Sequence, residues 1–141
     1  MTKPQILGAF EPISFPKFKM ENVMAKMDTG AYTGALHCTT IKEIVKPNGI
    51  KLEFSPFDNP ELIIRTSDFV VRQVRSSNGS AERRYFINTK VTVRGKTYPI
   101  LLSLANRSEM KWSVLIGRRF LRENNFVVDV RTSKTYVDDV K

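Results

Sequence analysis

One carboxylate stands out for its surroundings, in the segment VMAKMDTGAYTGAL of residues 23–36. Apolar residues alternate with other residues from Val23 to Met27, which predicts a strand that delivers Asp28 to its carboxyl end. Thr29 and Gly30 follow, and glycine allows a positive φ or the close approach of a second backbone. A carboxylate held in this way can activate water by accepting its proton.

The Asp-Thr-Gly triplet occurs once in the 141 residues. Water activation by paired aspartates needs two carboxylates that share one proton, because like charges about 3 Å apart cannot both ionise. This chain can therefore perform that chemistry only if two copies meet and each supplies Asp28. The alternative interpretation is a surface turn after a strand, since Asp and Gly are common turn formers.

A second segment, VLIGRRFLRENNFVVDV, covers residues 114–130. An apolar run ends at Gly117, and Phe120 and Leu121 then fall on one face of a short helix. The helix should stop near Asn124-Asn125, because Asn tolerates the left-handed conformation, before a strand over Phe126–Val130. By itself this segment carries no chemistry.

Together the segments resemble one lobe of the retroviral-type aspartic proteases, through Asp28-Thr29-Gly30-Ala31 and Leu115-Ile116-Gly117-Arg118. The stretches DTGAYTGALHC, VRSSNGSAERRYFI, LANRSEMKWSVLIGRRFL and FVVDV are similar to a bacterial retropepsin-like family, also labelled ATP-dependent zinc protease and encoded near ATP-grasp (RimK-type) peptide ligases. The resemblance runs from about residue 9 to residue 138. It implies a mainly β fold, namely a closed retropepsin-like (acid protease) β-barrel lobe with one short C-terminal helix, which forms a homodimer with one active site.

The resemblance also assigns roles to individual residues. Asp28 would be the catalytic carboxylate, Thr29 would hydrogen-bond across the dimer axis beneath the dyad, and Gly30 would leave room for the substrate backbone. Ala31 and Arg118 would lie beside the substrate.

Two positions depart from the patterns of the relatives. In the viral enzymes an Asp follows the Ala and pairs with the Arg after the later Gly. Here that position is Tyr32, which leaves the partner of Arg118 open, and Gly34 stands where the bacterial family usually has Ser.

Composition predicts a single domain over residues 1–141, because the chain is 41% hydrophobic and too short for two ordinary cores. No apolar stretch approaches the roughly 18 residues of a membrane span. The first 18 residues lack the pattern of a secretory signal, and the single cysteine, Cys38, suits a reducing compartment. We therefore expect a cytoplasmic protein without membrane attachment.

The pattern of short apolar segments and turn signals predicts a barrel or sandwich of mostly antiparallel strands. The predicted strands are Phe10–Phe15, Val23–Met27, Gly49–Phe54, Leu62–Ile64, Phe69–Val74, Arg84–Arg94, Thr97–Ala105, Ser113–Ile116, Phe126–Val130 and Thr135–Val137.

A hairpin between Val70 and Ile87 is the candidate for a mobile flap over a substrate cleft. Its arms are rich in arginine, and its SSNGS tip suits a tight turn with positive φ. The substrate contacts expected from it are Arg75, Ser76, Ser77, Asn78 and Gly79. An ordinary solvated hairpin is the alternative, and the hairpin at Asn48-Gly49 competes for the role of flap.

Charge gives a clue to the substrate. From Arg65 to Arg122 the chain has thirteen Lys and Arg against three acidic residues, a balance of +10 beside a total of +9. A cleft edged with guanidinium groups favours acidic ligands, so we expect an acidic, polyglutamyl peptide or protein tail as substrate. A basic β-barrel that binds nucleic acid is the weaker alternative, because no nucleic-acid signature accompanies the charge.

The residues give little support to metal chemistry, so we predict no metal and no cofactor. His37 and Cys38 are the only His and Cys, and adjacent strand residues point to opposite faces. We expect His37 to be a structural hydrogen-bonding residue and Cys38 to be buried. The prediction is thus an aspartic peptidase, and the runner-up is a catalytically silent retropepsin-like module that binds acidic tails.

Overall fold

The structure is a computed structural model that describes residues 3–75, 78–106 and 112–132. Within these residues the chain forms strands, one 3₁₀ turn at Pro16–Phe18 and one short α-helix. The elements are β1 (Gln5–Gly8), β2 (Phe10–Phe15), β3 (Met20–Asp28), β4 (Gly34–Lys46), β5 (Gly49–Pro56), β6 (Ile64–Thr66), β7 (Phe69–Arg75), β8 (Ala81–Val93), β9 (Lys96–Ala105), β10 (Val114–Gly117), α1 (Arg118–Glu123) and β11 (Phe126–Asp129).

Six strands close into a barrel in the order β10, β3, β2, β8, β9 and β4, because β4 pairs with β10 again. Apolar side chains on alternate positions fill its interior, as the period of two in a strand requires. The fully buried side chains on the barrel strands include Ile13, Phe15, Leu36, Ile87, Leu102 and Ile116. The same core continues to Leu7 of β1 and to Leu52 and Phe54 of β5. The mainly β, closed retropepsin-like barrel with one short helix is thereby confirmed.

Strand β10 lies between β3 and β4 and fixes the geometry of the loop that joins them. It runs parallel to β3, with Gly117 beside Asp28, and antiparallel to β4, with Val114 beside Leu36. The chain therefore leaves the barrel wall at Asp28, passes around the end of β10, and re-enters the wall at Gly34.

Strand β4 belongs to two sheets in turn. Its first residues, Gly34–His37, pair with β9 inside the barrel wall. After an irregularity between Cys38 and Thr40, the rest of β4 pairs with β5, and β5 pairs with β6. This arm extends beyond the barrel, while β7 pairs with β8 and β1 pairs with β11.

The sequence analysis predicted no strand over β4 or β1, and it placed Leu62–Ile64 where the structure has β6 at Ile64–Thr66. Three consecutive residues of β4, from Leu36 to Cys38, are buried, so the alternation that reveals a strand is broken there. The predicted strand Thr135–Val137 lies outside the described residues. No helix in the described part of the chain has the length and apolarity needed to cross a bilayer.

Candidate active site

Asp28 ends β3 with its side chain half-buried, and a tight turn follows it. The backbone N–H of Gly30 donates to Oδ1 of Asp28 at 3.1 Å, and that of Ala31 donates to the Asp28 carbonyl at 3.2 Å. The carboxylate is thus held by its own turn. A hydrogen bond to one oxygen orients the group without covering it.

The loop after Asp28 packs directly against the backbone of β10, which requires two glycines. A Cβ added at Gly117 would lie 2.5 Å from the Tyr32 carbonyl oxygen and 2.7 Å from Gly34 N. A Cβ added at Gly34 would collide with the Leu115 carbonyl oxygen. The bacterial family usually has Ser at the position of Gly34. In this chain the backbone at Gly34 lies so close to the backbone of β10 that no side chain fits there.

Arg118 holds the same loop from the start of α1. Its backbone N–H donates to the Ala31 carbonyl at 2.8 Å, and its guanidinium donates to the Gly30 carbonyl at 3.1 Å. The guanidinium also lies 5.3 Å from the centroid of the Tyr32 ring, within the range of a cation–π contact. The partners of Arg118, which the sequence left open, are thus a carbonyl and an aromatic ring.

An open groove begins at Asp28 and crosses the outer face of the barrel wall. Strand register explains its floor, since Leu115 pairs with Ala35, Ala35 with Ser103, and Ser103 with Phe86. These residues share one face because side chains alternate along each strand. The described residues that line the groove are Asp28, Ala31, Tyr32, Thr33, Ala35, Arg84, Phe86, Ser103, Ala105 and Leu115, of which Asp28 is the single carboxylate.

Thr29 is exposed and lies outside this groove. It lines a separate depression with Arg118 and with residues of α1 and β11. The predicted site residues thus separate into two sets, with Asp28 and Ala31 in the groove and Thr29 and Arg118 in the neighbouring depression.

The predicted flap hairpin is present as β7 and β8, with Arg75 opposite Ala81. Gly79 has a φ of 88°, as the turn prediction requires. Arg75, Asn78 and Gly79 are exposed and do not line the groove with Asp28. Ser76 and Ser77 lie outside the described residues.

Sequence reasoning missed Arg84 and Phe86 as groove residues, because it looked for contacts at the tip of the hairpin. The two residues lie where β8 enters the barrel wall. The alternation along Arg84–Arg94 was the available signal, since it places Arg84 and Phe86 on one face. The sequence did not predict β4, and without β4 the groove that this face of β8 lines has no floor.

The opposite face of the hairpin is fixed to the β4–β5 arm. The hydroxyl group of Tyr85 donates a hydrogen bond to the carboxylate of Glu43 at 2.7 Å, and the guanidinium of Arg83 forms an ion pair with the same carboxylate at 2.8 Å. The hydrogen bond to Glu43 raises the pKa of Tyr85. The arm therefore holds Arg83 and Tyr85 in place, and these residues alternate along β8 with Arg84 and Phe86, which line the groove.

His37 and Cys38 are both buried near this end of the barrel. Nε2 of His37 lies 2.9 Å from Oδ1 of Asp58, which agrees with the predicted hydrogen-bonding role. Burial raises the pKa of the Cys38 thiol to about 12, so the thiolate needed for nucleophilic attack is scarce at neutral pH. The described residues contain no cluster of three or more His, Cys, Asp or Glu able to hold a metal ion.

A closed barrel with an Asp-Thr-Gly loop wrapped around a later Ile-Gly-Arg strand defines a lobe of the retropepsin class. The chain belongs to the RimB-like family, described as the retropepsin-like aspartic endopeptidase RimB, whose model matches residues 6–139. The family suspected from the motifs is confirmed.

Curated relatives carry a different description. Proteins named "Probable alpha-L-glutamate ligase" are 30% identical over 127 residues in Shewanella pealeana and 32% identical over 123 residues in Parasynechococcus marenigrum. These matches cover 86% and 84% of this chain but only 28% and 26% of the relatives, so the chain spans about a quarter of their length.

A crystal structure supports the fold. Lpg0085 of Legionella pneumophila, a protein described as having unknown function, superposes with a TM-score of 0.74 at 24% identity, over 93% of this chain and 97% of that one.

Proposed function

We propose that the protein is an aspartic peptidase that works as a homodimer, with one Asp28 from each subunit. The observation that carries the proposal is Asp28 itself, which stands at the end of an open groove without a second carboxylate among the described lining residues. The chemistry of paired aspartates needs two such groups, and the single Asp-Thr-Gly of the chain supports a second copy as the source of the other one. The exposed Thr29 beside Asp28 suits contact with that copy.

In this dimer the two carboxylates share one proton and hold a water molecule between them. One carboxylate takes a proton from the water as it attacks the peptide carbonyl, and the other gives its proton to the carbonyl oxygen. The tetrahedral intermediate then collapses and the C–N bond breaks, as the carboxyl group that took the proton from water gives it to the leaving nitrogen and the other carboxylate takes one from the gem-diol hydroxyl. The turn that holds Asp28 and the Arg118 contacts to the loop keep the carboxylate oriented, which is the part of catalysis that the fold supplies.

We further propose an acidic, glutamate-rich peptide or protein tail as substrate. Two observations support it: Arg84 lines the groove, and the curated relatives that contain a similar segment are named as glutamate ligases. We also propose a functional link to an ATP-grasp ligase, which the ligase names of these relatives support. A cytoplasmic location and independence from metals or cofactors also stay predictions.

The test compares Glu-rich and neutral peptides of equal length, incubated with the wild type and with Asp28→Asn at several salt concentrations. We expect the wild type to cleave the Glu-rich peptide faster, by a margin that shrinks as salt screens the groove. Asp28→Asn keeps the shape of the side chain and should abolish cleavage. Equal, salt-insensitive cleavage of both peptides would contradict the substrate proposal, and cleavage by Asp28→Asn would contradict the mechanism.

The same experiment separates the enzyme from a catalytically silent binding module. A module would bind the labelled acidic peptide equally well with Asp or Asn at position 28, and neither form would cleave it. Single-stranded nucleic acid serves as the competitor ligand, since tight, salt-steep binding would instead favour the nucleic-acid alternative.

A further inference from the structure

Arg84 lines the groove, and a second arginine, Arg72, faces it across the neighbouring strand. Arg72 of β7 and Arg84 of β8 are directly opposite in the antiparallel register. Opposite residues of such a pair have Cβ atoms about 5 Å apart, and like charges placed there repel each other. A substrate carboxylate bound between the two guanidinium groups would relieve this repulsion.

Each guanidinium has a local contact that leaves it available to an anion. Arg72 lies 5.7 Å from the centroid of the Phe86 ring, and the described residues place no carboxylate within ion-pair distance of it. Arg84 has one contact with a carboxylate among the described residues, from its Nη2 to Oε1 of Glu82 at 3.2 Å. Glu82 is two residues away on the same strand and more than half exposed, so an incoming carboxylate can displace it.

The distance from this pair to Asp28 follows from the order of the strands. From β8 to β3 the groove crosses β9, β4 and β10, which makes four strand-to-strand steps. At about 4.8 Å per step, these steps span roughly 19 Å across the strands. Asp28 and Arg84 also lie two residues to opposite sides of the row formed by Leu115, Ala35, Ser103 and Phe86, which adds roughly 13 Å along the strands and makes the path roughly 23 Å. An extended peptide rises about 3.3 Å per residue, so it covers this path in about seven residues, or in about five if the long Arg side chain reaches toward Asp28.

We propose that Arg84, with Arg72 beside it, is the specificity-determining residue, which binds an acidic side chain about five to seven residues away from the bond that is cleaved. This inference rests on the proposed function and deepens it, because it fixes where along the substrate the charge must lie. Glu82 acts as an internal competitor that holds Arg84 until a substrate carboxylate replaces it.

The experiment uses a set of labelled peptides, each with a single Glu placed one to eight residues from the cleaved bond on either side. We expect kcat/KM of the wild type to peak for one placement about five to seven residues away. Arg84→Gln should flatten the peak by about tenfold, the loss that one charge-assisted hydrogen bond implies. Glu82→Gln should raise kcat/KM at the peak several-fold, because it removes the competitor.

Lys90→Gln is the matched control, since it removes the same charge from the exposed part of the same strand, six residues from Arg84. It should leave the positional preference unchanged, and thermal melting should show that all three variants fold. If Lys90→Gln and Arg84→Gln lower cleavage equally at every placement, the effect is general electrostatics and the proposal is wrong.

Binding measured by fluorescence anisotropy with Asp28→Asn in the background keeps this proposal separate from the proposed function. If no peptide is cleaved but the positional preference appears in binding and is lost with Arg84→Gln, the peptidase proposal fails and the subsite stands. If peptides are cleaved without any positional preference, the peptidase proposal stands and the subsite fails.

Discussion

Gly117→Ala is the substitution that tests most sharply how the loop and β10 position Asp28. The backbone at Gly117 has φ −85° and ψ 170°, a conformation open to any residue. If nothing else mattered, the smaller entropy of the unfolded chain would make alanine stabilising by about 0.4–1 kcal/mol. Any destabilisation must therefore come from the contacts of the added methyl group.

Those contacts are all with backbone atoms, which cannot rotate away. The methyl group would lie 2.5 Å from the Tyr32 oxygen, so the loop must retreat by about 0.9 Å to reach an ordinary contact of 3.4 Å. A shift of that size stretches the hydrogen bonds from Arg118 N to the Ala31 carbonyl, at 2.8 Å, and from Arg119 N to the Tyr32 carbonyl, at 3.1 Å.

Overpacking of this kind costs about 1–3 kcal/mol, and each weakened hydrogen bond costs up to about 1 kcal/mol. After the entropic gain is subtracted, we expect a loss of about 2–4 kcal/mol in the free energy of unfolding, or roughly 7–14 °C in Tm for a chain of this size. Peptide cleavage should fall further than stability does, because the displaced residues adjoin Asp28.

Urea unfolding and thermal melting measure the stability, with Gly95→Ala as control. Alanine at Gly95 is strained by a φ of 81°, which is not so at Gly117, but an added Cβ there meets no atom within 4 Å. The control should lose only about 1 kcal/mol and keep its cleavage activity. A Gly117→Ala protein as stable as the wild type, or more so, would refute the packing argument.

Three further predictions concern other parts of the molecule. Cys38→Ala should retain peptide cleavage, and iodoacetamide should not inactivate the folded wild type, because burial raises the pKa of the thiol to about 12; rapid inactivation at neutral pH would revive a cysteine nucleophile. The hydrogen bond from Lys42, with help from Arg65, holds the pKa of Glu53 below its usual 4.5, so this pairing stabilises the fold above that pH and is lost as pH falls through the lowered value. The Tm of Glu53→Gln should accordingly fall less than that of the wild type on acidification below pH 4.5, and parallel curves would contradict this assignment. Arg118→Met should lower kcat/KM of cleavage by tenfold or more while costing only about 1–2 kcal/mol of stability, since it frees the Gly30 carbonyl beside the catalytic turn; unchanged kinetics would remove Arg118 from the positioning of the loop.

The sequence predicted those elements whose signals lie within a few consecutive residues. The strand into Asp28, the helix after Gly117 and the turn at Gly79 follow from alternation, helical spacing and glycine. The strand β4 escaped because it changes partners midway, from β9 to β5, and three consecutive residues are buried at the change. Its burial depends on partners far along the chain, which no local window contains.

The groove was beyond the sequence for the same reason. Arg84, Ser103 and Asp28 come to line one groove only when four strand pairings fix one face of the barrel wall. The sequence showed that arginines are abundant in the hairpin, but it could not show which of them line the groove that begins at Asp28. The role of Tyr32 under Arg118 was likewise hidden, because an aromatic ring replaces the carboxylate that the viral pattern predicts.

The central claim is that two chains each contribute one Asp28 to a single active site. Cleavage by mixtures of wild-type and Asp28→Asn protein, refolded together at constant total concentration, tests this most directly. Random pairing makes only about one quarter of the dimers fully wild type in an equal mixture, so activity should fall to about one quarter of that of the wild type. A fall to one half, in simple proportion to the wild-type protein present, would mean that each chain works alone and would contradict the account.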